Sequence, residues 1–93
     1  MAHRVVWSPR ALADVQAIAS YIAADSSSYA STVVRKILTS TRALTNFPRS
    51  GRMLPEVDDE NLREVFAYSY RIIYRVEQDE VVVAAVIHGK RML

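Results

Sequence analysis

The groups in this sequence able to do chemistry are cations and a histidine gathered in its second half. Arg63, Arg71 and Arg75 fall within residues 62–88, and His88, Lys90 and Arg91 follow at the end of that run. Guanidinium and ammonium groups bind carboxylates and phosphates, while imidazole, titrating near neutrality, is the side chain best suited to moving a proton. On a strand, Arg71 and Arg75 share one face. There they either meet an anionic partner or are solvated and paired across the sheet with Glu64 or Glu77, a pairing worth about 0–1 kcal/mol when exposed. His88 has the same two readings, proton carrier or hydrogen-bonded surface residue. Asp58, Asp59 and Glu60 are contiguous acids without further oxygen donors at turn spacing, so neither a metal nor a cofactor is expected. Trp7, Tyr21, Tyr70 and Tyr74 suit a core or a partner contact, because a nucleic-acid stacking platform needs aromatics clustered and exposed among basic residues.

The elements that must position these groups follow from periodicity. Residues 62–88 alternate apolar and polar at a period of two, which is strand sequence, with Tyr70, Ile72, Tyr74 and Val76 on one side and Arg71, Ile73, Arg75 and Glu77 on the other. Gln78 and Asp79 separate two β-rich runs as a hairpin turn, and residues 81–87, apolar throughout, read as an interior strand. Residues 3–7 form a short strand stopped by Ser8 and Pro9, an N-cap followed by a proline suited to a first helical turn. Leu12, Val15, Ile18, Ala19 and Ile22 then recur at helical spacing to about Ala24. After Asp25 and Ser26–Ser28, any of which can cap, a second helix shows Ala30, Val33, Val34, Ile37, Leu38, Thr41 and Leu44 on one side and ends near Phe47, before Pro48. Residues 52–61 read as an acid-rich loop. The order β-α-α-β-β-β predicts an α+β fold with a helical hairpin on one face of a mostly antiparallel four-stranded sheet. Two helices cover only one face, so the apolar residues Val65, Ile73, Val82 and Val86, assigned to the other, are expected to meet a partner or a tail.

Composition bounds the rest. Ninety-three residues, 51% hydrophobic and 24% charged, with two Gly and three Pro, fit one domain over 1–93 without linkers. The absence of Cys excludes disulfides and thiolate metal sites, and no apolar run approaches the roughly 20 residues that span a bilayer. With no signal-peptide core in residues 1–8, no membrane association is expected and the cytoplasm is the expected location. Residues 1–50 carry six basic against two acidic side chains, a balance of +4; residues 51–93 carry six against eight, or −2. The overall +2 and a pI near 9.2 suit an acidic protein or nucleic acid without choosing between them.

Taken together, Trp7-Ser8-Pro9, Tyr21-Ile22-Ala23 before Asp25-Ser26, Phe47-Pro48 with Gly51-Arg52, Arg63-Glu64, the run from Tyr70 to Val76, and His88 with Arg91 resemble the ParE/RelE superfamily of type II toxin-antitoxin (plasmid stabilisation) toxins. The resemblance spans nearly the whole chain. It implies a growth-inhibiting toxin neutralised by a cognate, ParD-like antitoxin. RelE-like members are ribosome-dependent mRNA endonucleases, and ParE-like members inhibit DNA gyrase. Cleavage through a 2′-hydroxyl needs a base, an acid and cations around the phosphate. Arg71, His88 and Arg91 are what the resemblance offers for that role, but the terminal Tyr of RelE-like nucleases is absent, which favours the ParE branch and gyrase over the ribosome and mRNA. A non-toxic interaction module with the same fold is the third possibility. Target contact is expected from Arg63, Arg71, Arg75, His88, Lys90 and Arg91, and from the tail 88–93 as a free end. Leu12, Ile18, Val33, Ile37, Ile72 and Tyr74 are expected in the core, and Arg71→Ala is expected to leave the melting temperature nearly unchanged.

Overall fold

The computed structural model describes residues 2–91. Strand β1 (Arg4–Trp7) leads into helices α1 (Pro9–Ala23) and α2 (Ser27–Arg42), a 3₁₀ turn (Ala43–Thr45), and strands β2 (Arg52–Met53), β3 (Leu62–Ala67), β4 (Tyr70–Val76) and β5 (Glu80–His88). The sheet runs β1-β5-β4-β3-β2, antiparallel except for the parallel pair β1 and β5. It has five strands where four are expected. The extra one, β2, lies in the stretch read as loop, and two residues are too few to show alternation; it exists because Arg52 and Met53 pair with Glu64 and Arg63.

Both helices start where the capping chemistry places them. Ser8 Oγ accepts from the Ala11 amide at 3.0 Å and donates to the Ala84 carbonyl at 3.0 Å, while Ser26 Oγ accepts from the Tyr29 amide at 3.1 Å. The second helix ends sooner than expected, at Arg42, because the chain tightens into the 3₁₀ turn before Phe47.

The helical hairpin covers one face of the sheet. Ala11, Ile22, Ala30, Val33 and Ile37 pack there on Ala67, Ile72, Val83 and Val86, and a second cluster joins Leu44 to Tyr74, Val76 and Val81. Val33, Ile37, Ile72 and Tyr74 are core residues as expected. Ile18 is only half-buried, and Leu12 is 51% exposed, because α1 is rotated so that Ala11 makes the close contact.

The opposite face departs further from expectation. Register slips between Ile73, paired with Ala85, and Tyr74, paired with Val83, so Ala84 bulges out of β5. An extra residue inverts the alternation beyond it, which turns Val86 toward the helices, where Val65 also packs. Ile73, Ala85 and Ile87 do face away from the helices, but Leu54 and Leu62 pack over them. The chain itself covers these three residues, while Phe66 on the same face stays 46% exposed.

Gly51 sits where this covering begins. Its amide donates to Tyr74 Oη at 3.0 Å, and a Cβ there would lie 2.5 Å from the Glu64 carbonyl oxygen and 2.6 Å from Tyr74 Oη. Gly51→Ala should destabilise the fold by about 1–3 kcal/mol through overpacking, read as a lower denaturation midpoint at unchanged m-value.

Candidate functional site

The structure divides the six expected site residues, bringing only His88, Lys90 and Arg91 together in one cleft of about 710 Å³. Arg71 and Arg75 stand on the face away from the helices, opposite Phe66 and Leu62. Arg63 lies opposite Tyr74, and His88 opposite Tyr70, both on the helix-facing side. Lys90 and Arg91 follow β5 and are exposed. Met92 and Leu93, the last residues of the expected tail, lie outside the described residues.

Arg71 is the centre of the far face, and it is not the exposed cation that strand alternation suggests. It is 4% exposed and fully partnered. Its Nε donates to Glu64 Oε1 at 2.7 Å, Nη1 and Nη2 donate to the two Glu56 oxygens at 2.8 and 2.9 Å, and Nη1 also donates to the Arg91 carbonyl at 2.8 Å. Glu64, 1% exposed, bonds through its other oxygen to Arg52, whose guanidinium in turn lies over the Phe66 ring. Hydrogen bonding to Glu56 raises the Arg71 pKa above its ordinary value against the desolvation that lowers it, with Glu64 adding to the rise. Alternation puts a polar side chain on this face but cannot say that residues 54–61 fold over it. Glu64, its neighbour on β3, was legible as a cross-strand partner. Glu56, in a segment without periodicity, was not.

The other cations are held more loosely. Arg75 reaches Asp59 at 3.4 Å and keeps 43% of its side chain exposed. Asp59 also accepts from the Asn61 amide at 2.9 Å. Arg63 donates to the Glu60 and Gly51 carbonyls at 3.0 and 2.9 Å, bracing the two ends of the covering segment. Nothing here joins His88 to Arg71: the sheet lies between their side chains, and what reaches Arg71 from Arg91 is a backbone carbonyl.

His88 stands instead in a cleft of about 280 Å³ with Tyr21, Tyr29, Tyr68 and Tyr70, its ring edge-on to Tyr70 at 5.9 Å between centroids. Tyr21, Tyr29 and Tyr68 are exposed, whereas Tyr74 is buried, where the loss of solvation pushes its phenol pKa up. The aromatic clustering that the sequence does not display is therefore present, through Tyr29 and Tyr68. Tyr68 occupies the two-residue turn between β3 and β4 with φ of 53°, a left-handed conformation costing a non-glycine residue about 1–2 kcal/mol. No glycine marked that turn, so its strain had no signal in the sequence.

On the outer side of the helical hairpin, Ala19, Ala23, Ala30, Val34 and Leu38 line a groove of about 570 Å³. Arg35 of α2, which is exposed, lines it as well. No helix among the described residues is long and apolar enough to cross a membrane.

Comparison with known proteins adds family to geometry. The model of the family described as ParE toxin of type II toxin-antitoxin system, parDE, matches residues 5–93. No curated protein matches. Among solved structures, one described as the chromosomal ParDE TA system from P. aeruginosa is similar with a TM-score of 0.77, covering 95% of this chain and 97% of its own, at 19% identity. That likeness bears on the fold, and it agrees with the two-helix, mixed-sheet arrangement.

Proposed function

The chain belongs to the ParE toxin family of type II toxin-antitoxin systems, and from that premise we propose that it arrests growth by binding DNA gyrase, without chemistry of its own, until a cognate antitoxin neutralises it. The observation that carries the choice of target is the state of Arg71. Its guanidinium is spent on Glu56, Glu64 and the Arg91 carbonyl, and His88 stands on the opposite face. A nuclease lacking a positioned base and acid forfeits about 10²–10⁴-fold for each. Half-exposed Arg75 and exposed Lys90 and Arg91 remain to contact the target, and His88 lines one cleft of about 710 Å³ with Lys90 and Arg91.

For the antitoxin we propose the groove on the helical hairpin. It is lined by small and aliphatic side chains, into which an amphipathic segment can lay its apolar face, and Arg35 in the lining, with the +4 balance of residues 1–50, favours an acidic one. The helical hairpin is the footing expected for an acidic antitoxin segment, while on the far face Leu54 and Leu62 already pack over Ile73, Ala85 and Ile87.

One preparation, assayed with and without the co-expressed operon neighbour, tests both parts. The expected result is inhibition of gyrase supercoiling, relief on adding the neighbour, co-elution of the two chains, and intact ribosome-bound mRNA. Codon-positioned cuts that vanish in His88→Ala would replace this reading with the endonuclease. Absence of both activities would leave a non-toxic interaction module.

A further inference from the structure

We propose that Arg71, clamped between Glu56 and Glu64, is a positioning residue that anchors the segment after β5 and so fixes where Lys90 and Arg91 are presented to the target. The inference rests on the gyrase-binding reading above and names how its contact residues are held.

The geometry is specific. After His88 the chain turns: the Gly89 amide donates to the Ser69 carbonyl at 2.6 Å, the Lys90 amide to His88 Nδ1 at 3.3 Å, and the Arg91 amide to the His88 carbonyl at 2.9 Å. These bonds shape the turn but leave Arg91 tied only to its own neighbours. Among the described residues, the hydrogen bond of the Arg91 carbonyl to Arg71 Nη1 is the one that fastens it to a strand other than β5, from which it has just emerged. Gly89 is required for the approach, because a Cβ there would lie 2.9 Å from the Ser69 carbonyl and 3.2 Å from the Phe66 ring.

Burying an arginine between two carboxylates is a poor way to gain stability, since desolvation consumes much of the attraction and apolar residues of similar volume do as well or better. What apolar residues cannot supply is a donor aimed at a backbone carbonyl. Glu56 grips both terminal nitrogens of the guanidinium and Glu64 takes Nε, so the fork cannot rotate away and one Nη1 hydrogen is left for Arg91. The segment is thereby pre-ordered, and its two long cationic side chains start from a fixed backbone when they bind. An unanchored segment would have to be ordered at the moment of binding, with a loss of affinity.

Two variants test this. Arg71→Lys keeps the charge but lacks the fork; Glu56→Gln leaves the buried Arg71–Glu64 pair and weakens the grip that orients the fork, so it serves if the lysine variant does not fold. Backbone ¹⁵N order parameters of Lys90 and Arg91 are expected to fall from about 0.85 to below about 0.6 in either variant. The concentration needed to inhibit gyrase should rise about tenfold, the effect of ordering two rotamer-rich side chains on binding. Binding to the antitoxin, whose proposed groove lies on the other side of the molecule, should stay within about threefold. A purely structural Arg71 would instead weaken both interactions together. The inference is overturned if the order parameters do not change, or if they fall while inhibition is unaltered. If the wild-type chain does not inhibit gyrase at all, the target reading fails instead, and the order parameters still report whether the anchor exists.

Discussion

Arg71→Ala is expected to destabilise the protein by about 3–5 kcal/mol, the cost of leaving a buried charge without its partner. The substitution removes the counter-charge shared by Glu64, whose side chain is 0% exposed, and Glu56, at 10%. Arg52 still reaches one Glu64 oxygen, but its own side chain is 66% exposed, so its guanidinium contributes less than the buried fork. At roughly 4–8 °C per kcal/mol for a domain of this length, the melting temperature should fall by more than about 12 °C. This reverses the outcome expected when the arginine is taken for an exposed strand cation. A companion variant separates charge from packing: Arg71→Met combined with Glu56→Met and Glu64→Leu removes all three buried charges and should recover most of the lost stability. Melting curves of the single and triple variants decide the matter, and a single variant melting within a degree or two of wild type would return Arg71 to the list of exposed contact residues.

Truncating Ile72 to alanine should cost about 2–5 kcal/mol. Ile72 is 0% exposed at the middle of β4, facing Ala11, Val33 and Ile37 from the helices and flanked by Val83 and Val86. Its strand is hydrogen-bonded on both sides, to β3 and β5, so the backbone cannot move in to fill the space. The cavity therefore persists, and the upper half of the range applies. Leu12→Ala, on the apolar stripe of α1 but at a half-exposed position, should stay within about 0.5 kcal/mol. Urea denaturation of the pair measures both; comparable losses would show that α1 presents Leu12, not Ala11, to the sheet.

What the sequence by itself determined is what depends on near neighbours along the chain. The period-two run from Leu62 to His88, the Ser8 and Ser26 caps and the helical stripes set the element types and the starts of both helices, because each reflects interactions within a few residues; they did not show β2, the end of α2 at Arg42 or the β3–β4 turn. With a strand before two helices and three strands after them, packing the hairpin on one face was the arrangement open to so short a chain, and the family was legible in the same residues. Tertiary structure decided which side chains are free to act. Strand alternation says that Arg71 and Arg75 share a face, but one is buried and the other half exposed, because Glu56 comes from fifteen positions away to close over the first. One bulged residue, Ala84, turned Val86 from the far face to the core. The rotation of α1 exposed Leu12, the first residue of the apolar stripe, and buried Ala11, which is not on it. Tyr21, Tyr29, Tyr68 and Tyr70 meet around His88 because the ends of the helices abut the β3–β4 turn. Each of these outcomes depends on contacts between residues distant in the chain, where periodicity carries no information.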